Sequence, residues 1–483
     1  MHQFPGIEHR PLAAQRPPDT FTHQFLTLSK AFMNLPSTMS MPSLPMGRLA
    51  LAVALAAMAL PAQAQSLVEL YESARVFDAS YQSAKLQYDA NLARADQAWA
   101  GILPTAGLSA GASRVGVEST AAPAGGVISF NTQNATLSAS QPLYRPGNWA
   151  SYEQGFKQVD LARAQLESAS QDLIVRCSQA YFDVLAAQDT LAFVRAQKEA
   201  VNEQLAFAKR NFEVGTSTIT DTREAQARFD LVTAQEIAAE NDLRVRKIAL
   251  DQLVGINESQ PRPLAVPVSL PPVTPADVGT WVQQAELVNP AIRQARSNAE
   301  LADLEIKKAE AGHKPTVDAT ASYNVTKNPS SSALAGISSR ANTGSVGLLL
   351  NVPLFAGFST QNRIRETLAL RDKALSDLEG SRRSVSQNVR TAYFGVQSGQ
   401  GQIRALEAAE LSSQSALDAN RLGYQVGVRI NIDVLNAQSQ LFQTKRDLAQ
   451  ARYNVLLGGL RLRQASGTLT PEDLQQVNSL LAR

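Results

Sequence analysis

Histidine and cysteine, the side chains most often used for nucleophilic catalysis and zinc binding, are rare in this chain. Of its four histidines only His313 lies beyond position 23, and Cys177 is the sole cysteine. A Ser-His-Asp or Cys-His site would have to use His313, and a zinc site of His and Cys ligands lacks donors. Cys177 lies on an apolar helical stripe, so we expect a buried thiol. His313 stands just before Lys314-Pro315, where we expect a solvated imidazole.

The acidic and hydroxyl side chains offer no alternative chemistry. Ser, Asp and Glu are plentiful but scattered, and no glycine-rich phosphate loop or metal-binding cluster accompanies them. The lone cysteine also excludes an intramolecular disulfide. The sequence therefore predicts a protein that is not an enzyme, with no catalytic residue, no cofactor and no metal site.

The first 64 residues have the features of a leader. Residues 46–64, MGRLALAVALAAMALPAQA, contain one Arg, an apolar run and a small-residue ending, which is the pattern of a secretory signal peptide cleaved after Ala64. The apolar run of about a dozen residues is too short to span a bilayer as a helix. Residues 1–45 are Pro-rich and without periodicity, and we interpret them as a mis-assigned start. The alternative start positions are Met39, Met41 and Met46.

The charge of the chain gives no support to nucleic-acid binding. Removing the leader takes away four of the 45 Lys and Arg residues and two of the 43 Asp and Glu residues, which leaves a formally neutral chain. Nucleic-acid binding depends on phosphate neutralisation by a basic surface. We therefore expect no nucleic-acid partner.

One phrase of the sequence occurs twice. Residues 212–226, FEVGTSTITDTREAQ, return as YQVGVRINIDVLNAQ at 424–438, 212 residues later. Further matches at the same offset, or one residue less, extend the similarity in both directions. The period is far longer than the roughly 20–50 residues of a solenoid repeat, so the sequence predicts an internal tandem repeat of a whole domain. The predicted segments are the first repeat at 65–260, a Pro-rich linker at 261–278, the second repeat at 279–467 and a C-terminal segment at 468–483.

A very long helix is predicted in each repeat. No proline lies between Pro146 and Pro261, and no glycine between Gly155 and Gly215, so nothing breaks a helix across roughly 60 residues. Its apolar residues recur at intervals of three, four and seven, which is the spacing of a coiled-coil seam. The seam residues are Leu166, Leu173, Cys177, Tyr181, Val184, Leu191, Val194, Val201, Leu205 and Phe212.

The repeated phrase marks the turn of a helical hairpin. We expect Val214-Gly215 to stop the long helix and Thr220 or Asp221 to cap the next one, which runs to about Leu253. The same hairpin is expected again at Gly427. Its flanking helices are predicted at 358–424 and 432–465, and shorter helices at 67–101 and 279–312 open the two repeats.

Four segments alternate between apolar and polar residues with period two. They are clearest in PTVDATASYNV (315–325) and SVGLLLNVPLF (345–355), and weaker in the first repeat. Period two over about ten residues suits a transmembrane β-strand. The Gly-, Ser- and Pro-rich stretches VGVESTAAPAGG and TKNPSSSALAGISSRAN are predicted loop tips. The weaker apolar faces consist of Ala106, Leu108, Ala110 and Ala112, and of Ala135, Leu137, Ala139 and Leu143.

Aromatic residues lie where strands give way to helices. Tyr144, Trp149, Phe355 and Phe358 are placed as an aromatic girdle at a membrane surface would require. A soluble β-sandwich with aromatic core residues is the alternative. The one-sided apolar faces favour the membrane interpretation, with outer-membrane lipid as a partner.

Four strands and two long hairpins are incomplete in a single chain. Four strands leave two unpaired edges, which lipid does not tolerate, and the smallest membrane barrels need about eight strands. Each helical seam also requires partners. A symmetric oligomer in which a ring of strands continues into a ring of helices satisfies both requirements and forms a tube.

Four segments together resemble the TolC family of outer-membrane efflux and secretion channels of Gram-negative bacteria. They are VGTSTITDTREAQARFD (214–230), YQVGVRINIDVLNAQ (424–438), ARYNVLL (451–457) and GTLTPEDLQQVNS (467–479). The resemblance covers nearly all of 66–483. It implies a mainly α fold with a membrane β-barrel. Three chains would each give four strands to one twelve-stranded barrel in the outer membrane, continued by a long α-helical barrel through the periplasm.

The resemblance also implies a function and partners. The homotrimer would be the export duct of a tripartite efflux or type I secretion system. It would work with a periplasmic adaptor (membrane fusion) protein and an inner-membrane ABC, RND or MFS transporter. The hairpin tips would contact the adaptor and close the channel like an iris. The tip residues are Val214, Gly215, Val426 and Gly427.

Single residues at the tips also match family positions. Asp433 matches an aspartate ring that faces the pore, where three carboxylates repel each other and attract cations. Asn436 stands where the family has a second aspartate, which puts strong cation selectivity in doubt. The residues alone favour simple helix caps for Asp221 and Asp433, and only the family resemblance favours the gate and pore roles. The positions matching the hydrogen bonds and ion pairs of the closed gate are Thr220, Asp221, Tyr424 and Arg429.

Two other functions remain open at this point. A periplasmic coiled-coil adaptor or scaffold also contains helical hairpins, although adaptors usually carry one hairpin and compact β-domains. A lipid-anchored relative from the multidrug branch is disfavoured because no cysteine follows the predicted signal sequence.

Overall fold

The computed structural model describes residues 65–118, 127–265, 271–328 and 339–482, so the predicted leader and its cleavage site lie outside the described residues. Within these ranges the chain is mostly helical with one four-stranded sheet, which confirms the predicted fold class at that level. The helices are α1 (Leu67–Phe77), α2 (Ala79–Ala100), α3 (Pro146–Glu213), α4 (Ile219–Val254), α5 (Val278–Val288), α6 (Pro290–Glu310), α7 (Ser359–Gln425), α8 (Asn431–Ser466) and α9 (Pro471–Asn478), with a 3-10 turn at Ala311–His313. The strands are β1 (Thr105–Glu118), β2 (Val127–Tyr144), β3 (Thr316–Asn328) and β4 (Ser339–Asn351).

Two helices of nearly equal length dominate the structure. α3 has 68 residues and α7 has 67. At about 1.5 Å per residue, each is roughly 100 Å long. α3 begins with Pro146, whose missing amide is one of those that a helix leaves unpaired in its first turn anyway. None of the described helices contains an apolar stretch long enough to cross a membrane.

The predicted seam of α3 is buried along most of its length. Eight of its members, from Leu173 to Leu205, are buried. The two ends differ from the prediction, because Leu166 is only partly buried and Phe212 is 43% exposed. Phe212 lies in the last turn of α3, next to an exposed hairpin tip. The buried members are Leu173, Cys177, Tyr181, Val184, Leu191, Val194, Val201 and Leu205.

Both predicted hairpins are present. α3 turns into α4, and α7 into α8, through short connections, and the returning helices have 36 residues each. Gly215 and Gly427 have φ angles of +77° and +79°. Only glycine adopts this left-handed conformation without a steric cost, so it ends a helix sharply.

The predicted single helices at 67–101 and 279–312 are wrong, since each is divided into two. Asp78 and Asn289 have extended backbones and separate α1 from α2 and α5 from α6. Asp78 Oδ1 accepts a hydrogen bond from the Tyr81 amide at 2.7 Å, and Asn289 Oδ1 accepts one from the Ala291 amide at 2.8 Å. Both side chains are therefore N-caps that restart a helix in a new direction.

The four strands form one antiparallel sheet in the order β1-β2-β3-β4. Three strand ends extend into the predicted loop tips, and the remaining tip residues, 119–126 and 329–338, lie outside the described residues. β4 ends at Asn351 rather than at Phe355, because Pro353 has no amide for the ladder. The added strand residues are 115–118, 326–328 and 339–342.

The helices follow the lateral order of the strands. β2 leads into α3 and β4 into α7, while α2 precedes β1 and α6 precedes β3. Side by side, α2 packs on α3, α3 on α6, and α6 on α7. Toward the tips, α4 packs on α3, and α8 packs on both α3 and α7. Each strand and the helices in line with it form one column, and the four columns lie side by side in the order of the strands. The two outer columns, β1/α2/α4 and β4/α7, each have one open side.

The largest hydrophobic cluster lies around the middle of α3. It joins α1, the end of α4, the second half of α8 and the C-terminal segment. Tyr181 is fully buried there, and its hydroxyl donates a hydrogen bond to the Arg262 carbonyl at 2.9 Å. A second cluster joins α5, α6 and α7 around Trp281. These clusters hold the short helices and the chain end against the long helices.

Two glycines with the same backbone conformation offer a matched stability test. A Cβ on Gly467, which ends α8 at φ +76°, would lie 2.5 Å from the Asn289 Cα, whereas a Cβ on Gly427 would meet nothing within 4 Å. The left-handed backbone alone costs an L-residue roughly 1–2 kcal/mol. We expect Gly467→Ala to lower the free energy of unfolding clearly more than Gly427→Ala, as measured by thermal unfolding. Equal losses would contradict the close contact at Asn289.

Candidate functional site

The register of the sheet separates an apolar face from a polar one. Leu108 lies opposite Leu137, and Leu137 lies opposite Tyr323. One residue along, Ser109, Thr136 and Asn324 form a polar row on the other face, where Thr136 Oγ1 bonds Asn324 Oδ1 at 3.0 Å. The apolar face also carries Ala106, Ala110, Ala135, Ala139, Ala319, Ala321, Val346, Leu348 and Leu350, and the polar face Ser138, Ser140, Thr320, Ser322, Thr343 and Ser345.

Nothing in the described ranges covers the apolar face. Val346 is 89% exposed, and Leu108 and Leu348 are exposed by 77% and 73%. A contiguous apolar patch of this kind marks a membrane or protein contact surface in a folded protein. The alternation predicted from the sequence is therefore confirmed for most of the larger apolar side chains, although Val115 and Leu349 lie on the polar face.

An ion pair with a buried carboxylate lies where the polar face meets the helices. Arg145 follows β2, and its guanidinium donates to both oxygens of Asp318 on β3 at 2.8 and 2.6 Å. The Asp318 side chain is only 6% exposed. Such a two-pronged pair fixes geometry as well as charge. It ties β2 to β3 next to the register shift between Pro142 and Tyr144.

The predicted interface aromatics are all exposed and lie at the strand-helix junctions. Tyr144 ends β2 and Trp149 lies in the first turn of α3, while Phe355 and Phe358 lie between β4 and α7, with ring centroids 5.4 Å apart. Sequence reasoning missed further aromatic side chains near these junctions, namely Trp99 at the end of α2 and Tyr152 and Phe156 at the start of α3. The signal for Tyr152 and Phe156 was their spacing of three and seven residues after Trp149 along one helix.

The first hairpin tip is organised by Asp221, in the first turn of α4. Its N-cap is Thr218, and not Thr220 or Asp221 as predicted. The Asp221 amide donates to Thr218 Oγ1 at 3.2 Å, and the Thr218 amide donates to the Asp221 carboxylate at 3.0 Å, which is a capping box. Thr220 lies exposed on the helix. The predicted cap was therefore placed two or three residues too late.

The hydrogen bonds to the Asp221 carboxylate come from its own hairpin and converge on Oδ2. The carboxylate also accepts hydrogen bonds from the hydroxyls of Ser217 at 2.6 Å and Thr218 at 2.9 Å. Burial raises the pKa of Asp221, but the hydrogen bonds from Ser217 and Thr218 outweigh burial and hold that pKa below its ordinary value. The folded tip therefore favours the ionised carboxylate.

The second tip contains the other candidate gate residues. The Tyr424 ring packs edge-on against Phe207 of α3, with centroids 5.7 Å apart, and its hydroxyl is buried without a hydrogen-bond partner in the described residues. Arg429 Nη1 lies 3.6 Å from Asp433 Oδ2. Within the described chain, neither Tyr424 nor Arg429 is hydrogen-bonded to the first hairpin tip.

Asn436 and the exposed tip residues lie at the surface. Asn436 Oδ1 accepts a hydrogen bond from Arg228 of α4 at 2.9 Å, so it links the two hairpins. Val214 and Val426 are 72% and 65% exposed. Gly215 and Gly427 have no atom near the place of a Cβ. The tips therefore expose backbone and apolar side chains at the surface.

Sequence reasoning missed Asn431, the first residue of α8. This side chain is fully buried and bonds both Gln204 of α3 and the Asp221 carbonyl of α4. The available signal was a polar residue between two isoleucines, Ile430 and Ile432, at the predicted start of a helix.

The two residues considered for nucleophilic chemistry lie where the sequence predicted. Cys177 is buried within α3, and burial raises the pKa of its thiol to about 12, which keeps it protonated and unreactive. His313 is exposed in the 3-10 turn. In the part of the chain that the structure describes, no group of three His, Cys, Asp or Glu side chains could hold a metal ion.

The family model "Outer membrane efflux protein" matches residues 70–256 and 281–468. The chain belongs to this family. Outer membrane protein TolC of Vibrio cholerae serotype O1 is 34% identical over 416 residues, which cover 86% of this chain and 94% of the relative. The alkaline protease secretion protein AprF of Pseudomonas aeruginosa is 34% identical over 350 residues, which cover 72% of each chain.

Solved structures share the fold of this outer membrane efflux protein. The outer membrane protein VceC of Vibrio cholerae matches with a TM-score of 0.70 at 21% identity, covering 83% of this chain and 96% of that one. The predicted TolC resemblance is therefore confirmed. The protein is an outer-membrane efflux or secretion channel with a large periplasmic part, and it is not an enzyme. The alternative of a periplasmic adaptor is thereby excluded.

The low pKa of Asp221 gives a pH-dependent prediction for the first tip. Because the folded pKa is depressed, the carboxylate contributes stability that is fully present above its unfolded pKa of about 3.9 and is lost as pH falls through the folded value. We expect Asp221→Ala to weaken the first turn of α4 by about 1 kcal/mol at neutral pH and by less in acid. Amide hydrogen exchange of that turn measures the loss of stability at each pH, once it is corrected for the intrinsic exchange rates at that pH. An effect that grows in acid would contradict it.

Proposed function

We propose that three copies of this chain form one export duct of a tripartite efflux or type I secretion system. Substrates would pass from an inner-membrane pump to the exterior through a trimeric tunnel that closes at the helical tips. The observation that carries the proposal is the open edge on each side of the four-column chain, on both the sheet and the helices.

The sheet edges favour assembly within a membrane. β1 and β4 each have a neighbour on one side only, while the face they share exposes an apolar surface. Unpaired backbone groups cost several kcal/mol each in hydrocarbon, so a membrane sheet must close on itself. Four strands are too few, because the smallest barrels have about eight. Three copies would supply twelve strands, with the Ser/Thr-rich face lining the lumen.

The helical edges favour the same arrangement. α4 exposes Leu231, Ile237, Val245 and Ile248, and α7 exposes Leu375, Phe394, Leu411 and Leu422. In a ring, the α7 column of one subunit would lie beside the α2/α4 column of the next. Continuation of each strand into its helix would make the β-barrel and the α-helical barrel one tube.

The repeated order of elements supports an internal tandem repeat. Two helices, two strands, a long helix and a 36-residue helix occur twice along the chain. Asp78 and Asn289, the caps that restart a helix in each half, are 211 residues apart. We retain 65–260 and 279–467 as the two repeats. The Pro-rich linker at 261–278 and the C-terminal segment at 468–483 complete the proposed division.

The relatives support the proposed partners. AprF is named for alkaline protease secretion, and TolC as an outer membrane protein. A passive duct needs an inner-membrane energy source, so we propose an ABC, RND or MFS transporter joined through a periplasmic adaptor. The exposed tips at Val214-Gly215 and Val426-Gly427 would receive the adaptor. Outer-membrane lipid would cover the apolar sheet face.

Contacts between subunits would complete the gate. The buried Tyr424 hydroxyl has no partner in the described chain, and a buried unsatisfied hydroxyl costs about 1–3 kcal/mol. A neighbouring subunit in the closed trimer would supply this partner. Arg429, Thr220 and Asp221 would take part in the same contacts. Asp433 would form the pore ring, and the neutral Asn436 would stand one turn further along.

The duct is tested by oligomeric state and conductance. We expect the purified protein to be a detergent-dependent trimer that conducts in planar bilayers. Val346→Arg on the apolar face should reduce insertion, because Arg near the bilayer midplane costs about 2–4 kcal/mol.

Thr343→Arg, on the polar face of the same strand, is the matched control and should insert normally. A monomer that is soluble without detergent, or equal insertion of both variants, would refute the membrane barrel.

The proposed gate contacts are tested by a double substitution. Tyr424→Phe with Arg429→Ser removes the hydroxyl and the guanidinium, so it should loosen the tips and raise conductance severalfold. Single-channel recording measures this. Phe207→Leu serves as a control, because it alters the packing on Tyr424 but keeps both polar groups. Unchanged conductance in the double variant would show that Tyr424 and Arg429 do not hold the gate closed.

A further inference from the structure

Asn431 occupies an unusual position for a polar side chain. It is the first residue of α8, directly after the exposed tip of the second hairpin, yet it is fully buried. Burying an amide without hydrogen bonds costs at least about 1–3 kcal/mol in proteins. The helices around Asn431 must therefore supply hydrogen-bond partners for its amide.

Both ends of the Asn431 amide are bonded to the first hairpin. Its Oδ1 accepts a hydrogen bond from Gln204 Nε2 of α3 at 2.5 Å. Its Nδ2 donates to the Asp221 carbonyl in the first turn of α4 at 3.2 Å. One side chain thus joins α8 to both helices of the other hairpin, and a separation of the hairpins would break both bonds at once.

Other buried polar side chains lie close to Asn431 where α3 meets α8. Two turns away from the tip, Gln197 of α3 and Gln438 of α8 are 4% and 1% exposed, and their side-chain oxygens are without partners in the described chain. Apolar side chains such as Val201, Val232 and Leu435 fill the contact among α3, α4 and α8. Gln197 and Gln438 therefore add no bond between the hairpins through their oxygens, whereas the Asn431 amide bonds both helices of the first hairpin.

The other polar contacts at the tips do not join the hairpins in this way. The Asp221 carboxylate bonds Ser217 and Thr218 of its own hairpin, and Arg429 lies beside Asp433 of its own hairpin. Arg228 and Asn436 do link the hairpins, but Asn436 is exposed and Arg228 is only partly buried. Exposed polar pairs contribute little because water competes for them.

We infer that Asn431 is the positioning residue that latches the two hairpins of one subunit together and so restrains opening at the tips. This inference rests on the proposed gated duct, and it adds a bond within the subunit to the contacts proposed between subunits. The latch requires both ends of the amide, because one end holds α3 and the other holds α4.

The test uses the full chain with Asn431→Leu, which keeps the side-chain volume and removes both hydrogen bonds. We expect the first turns of α4 and α8 to exchange amide hydrogens about tenfold faster, the factor that corresponds to roughly 1.4 kcal/mol. Conductance in planar bilayers should rise severalfold. Asn202→Ala, which removes an exposed amide of α3 close to Gln204, is the matched control and should change neither quantity.

A second variant separates the latch from a general loss of packing. Gln204→Leu should produce part of the same effect, and the double variant Gln204→Leu with Asn431→Leu should add little to Asn431→Leu alone, because both changes break one bond. Additive effects would overturn the latch. So would unchanged exchange in Asn431→Leu, or faster exchange without a rise in conductance.

The two proposals fail in different ways. If the unsubstituted protein does not conduct, the proposed duct fails, and the coupling of Gln204 to Asn431 in hydrogen exchange still decides whether the hairpins are joined there. If the unsubstituted protein conducts and the variants leave its conductance unchanged, the latch fails and the duct stands.

Discussion

The unpaired backbone at the two edges of the sheet is the constraint on which the proposed assembly depends. β1 and β4 each present one row of amides and carbonyls without a strand beside it. In hydrocarbon those groups have no water to bond, and only another strand can satisfy them. Since each strand continues into a helix of the same column, any partner that pairs with β1 also brings its long helix beside α2 and α4. Strand pairing and helix packing are therefore one requirement.

Long-range periodicity made most of the architecture predictable from the sequence. The intervals of three, four and seven in α3, and of two in β3 and β4, persist over many residues, so single exceptions do not hide them. The hairpin turns were equally clear because Gly215 and Gly427 need a conformation that other residues avoid. Where sequence reasoning failed, one side chain decided the local structure. Asp78, Asn289 and Thr218 are caps whose role depends on which amide lies within reach.

Asn431 shows a different limit of sequence reasoning. Its type and position indicate a helix start, and nothing nearby in sequence reveals Gln204, which is 227 residues away. Only the packing of α8 against α3 and α4 makes it a bridge. The same holds for Arg145 and Asp318, which are 173 residues apart. Buried polar pairs between distant segments carry no periodic signal, although their removal is among the costlier changes in a fold.

The charges at the second tip bear on what the proposed pore would admit. Asp433 lies 3.6 Å from Arg429, so a ring of three such carboxylates would be accompanied by three guanidinium groups. Asn436, one turn further along, adds no charge. Opposite charges this close cancel most of the field that would reach an ion on the axis, because the potential of a pair falls faster with distance than that of a single charge. A closed constriction of this composition would exclude solutes by its width more than by their charge. Arg429 lies just before α8 and Asp433 lies in its first turn, so a movement of this end of α8 would carry both charges together.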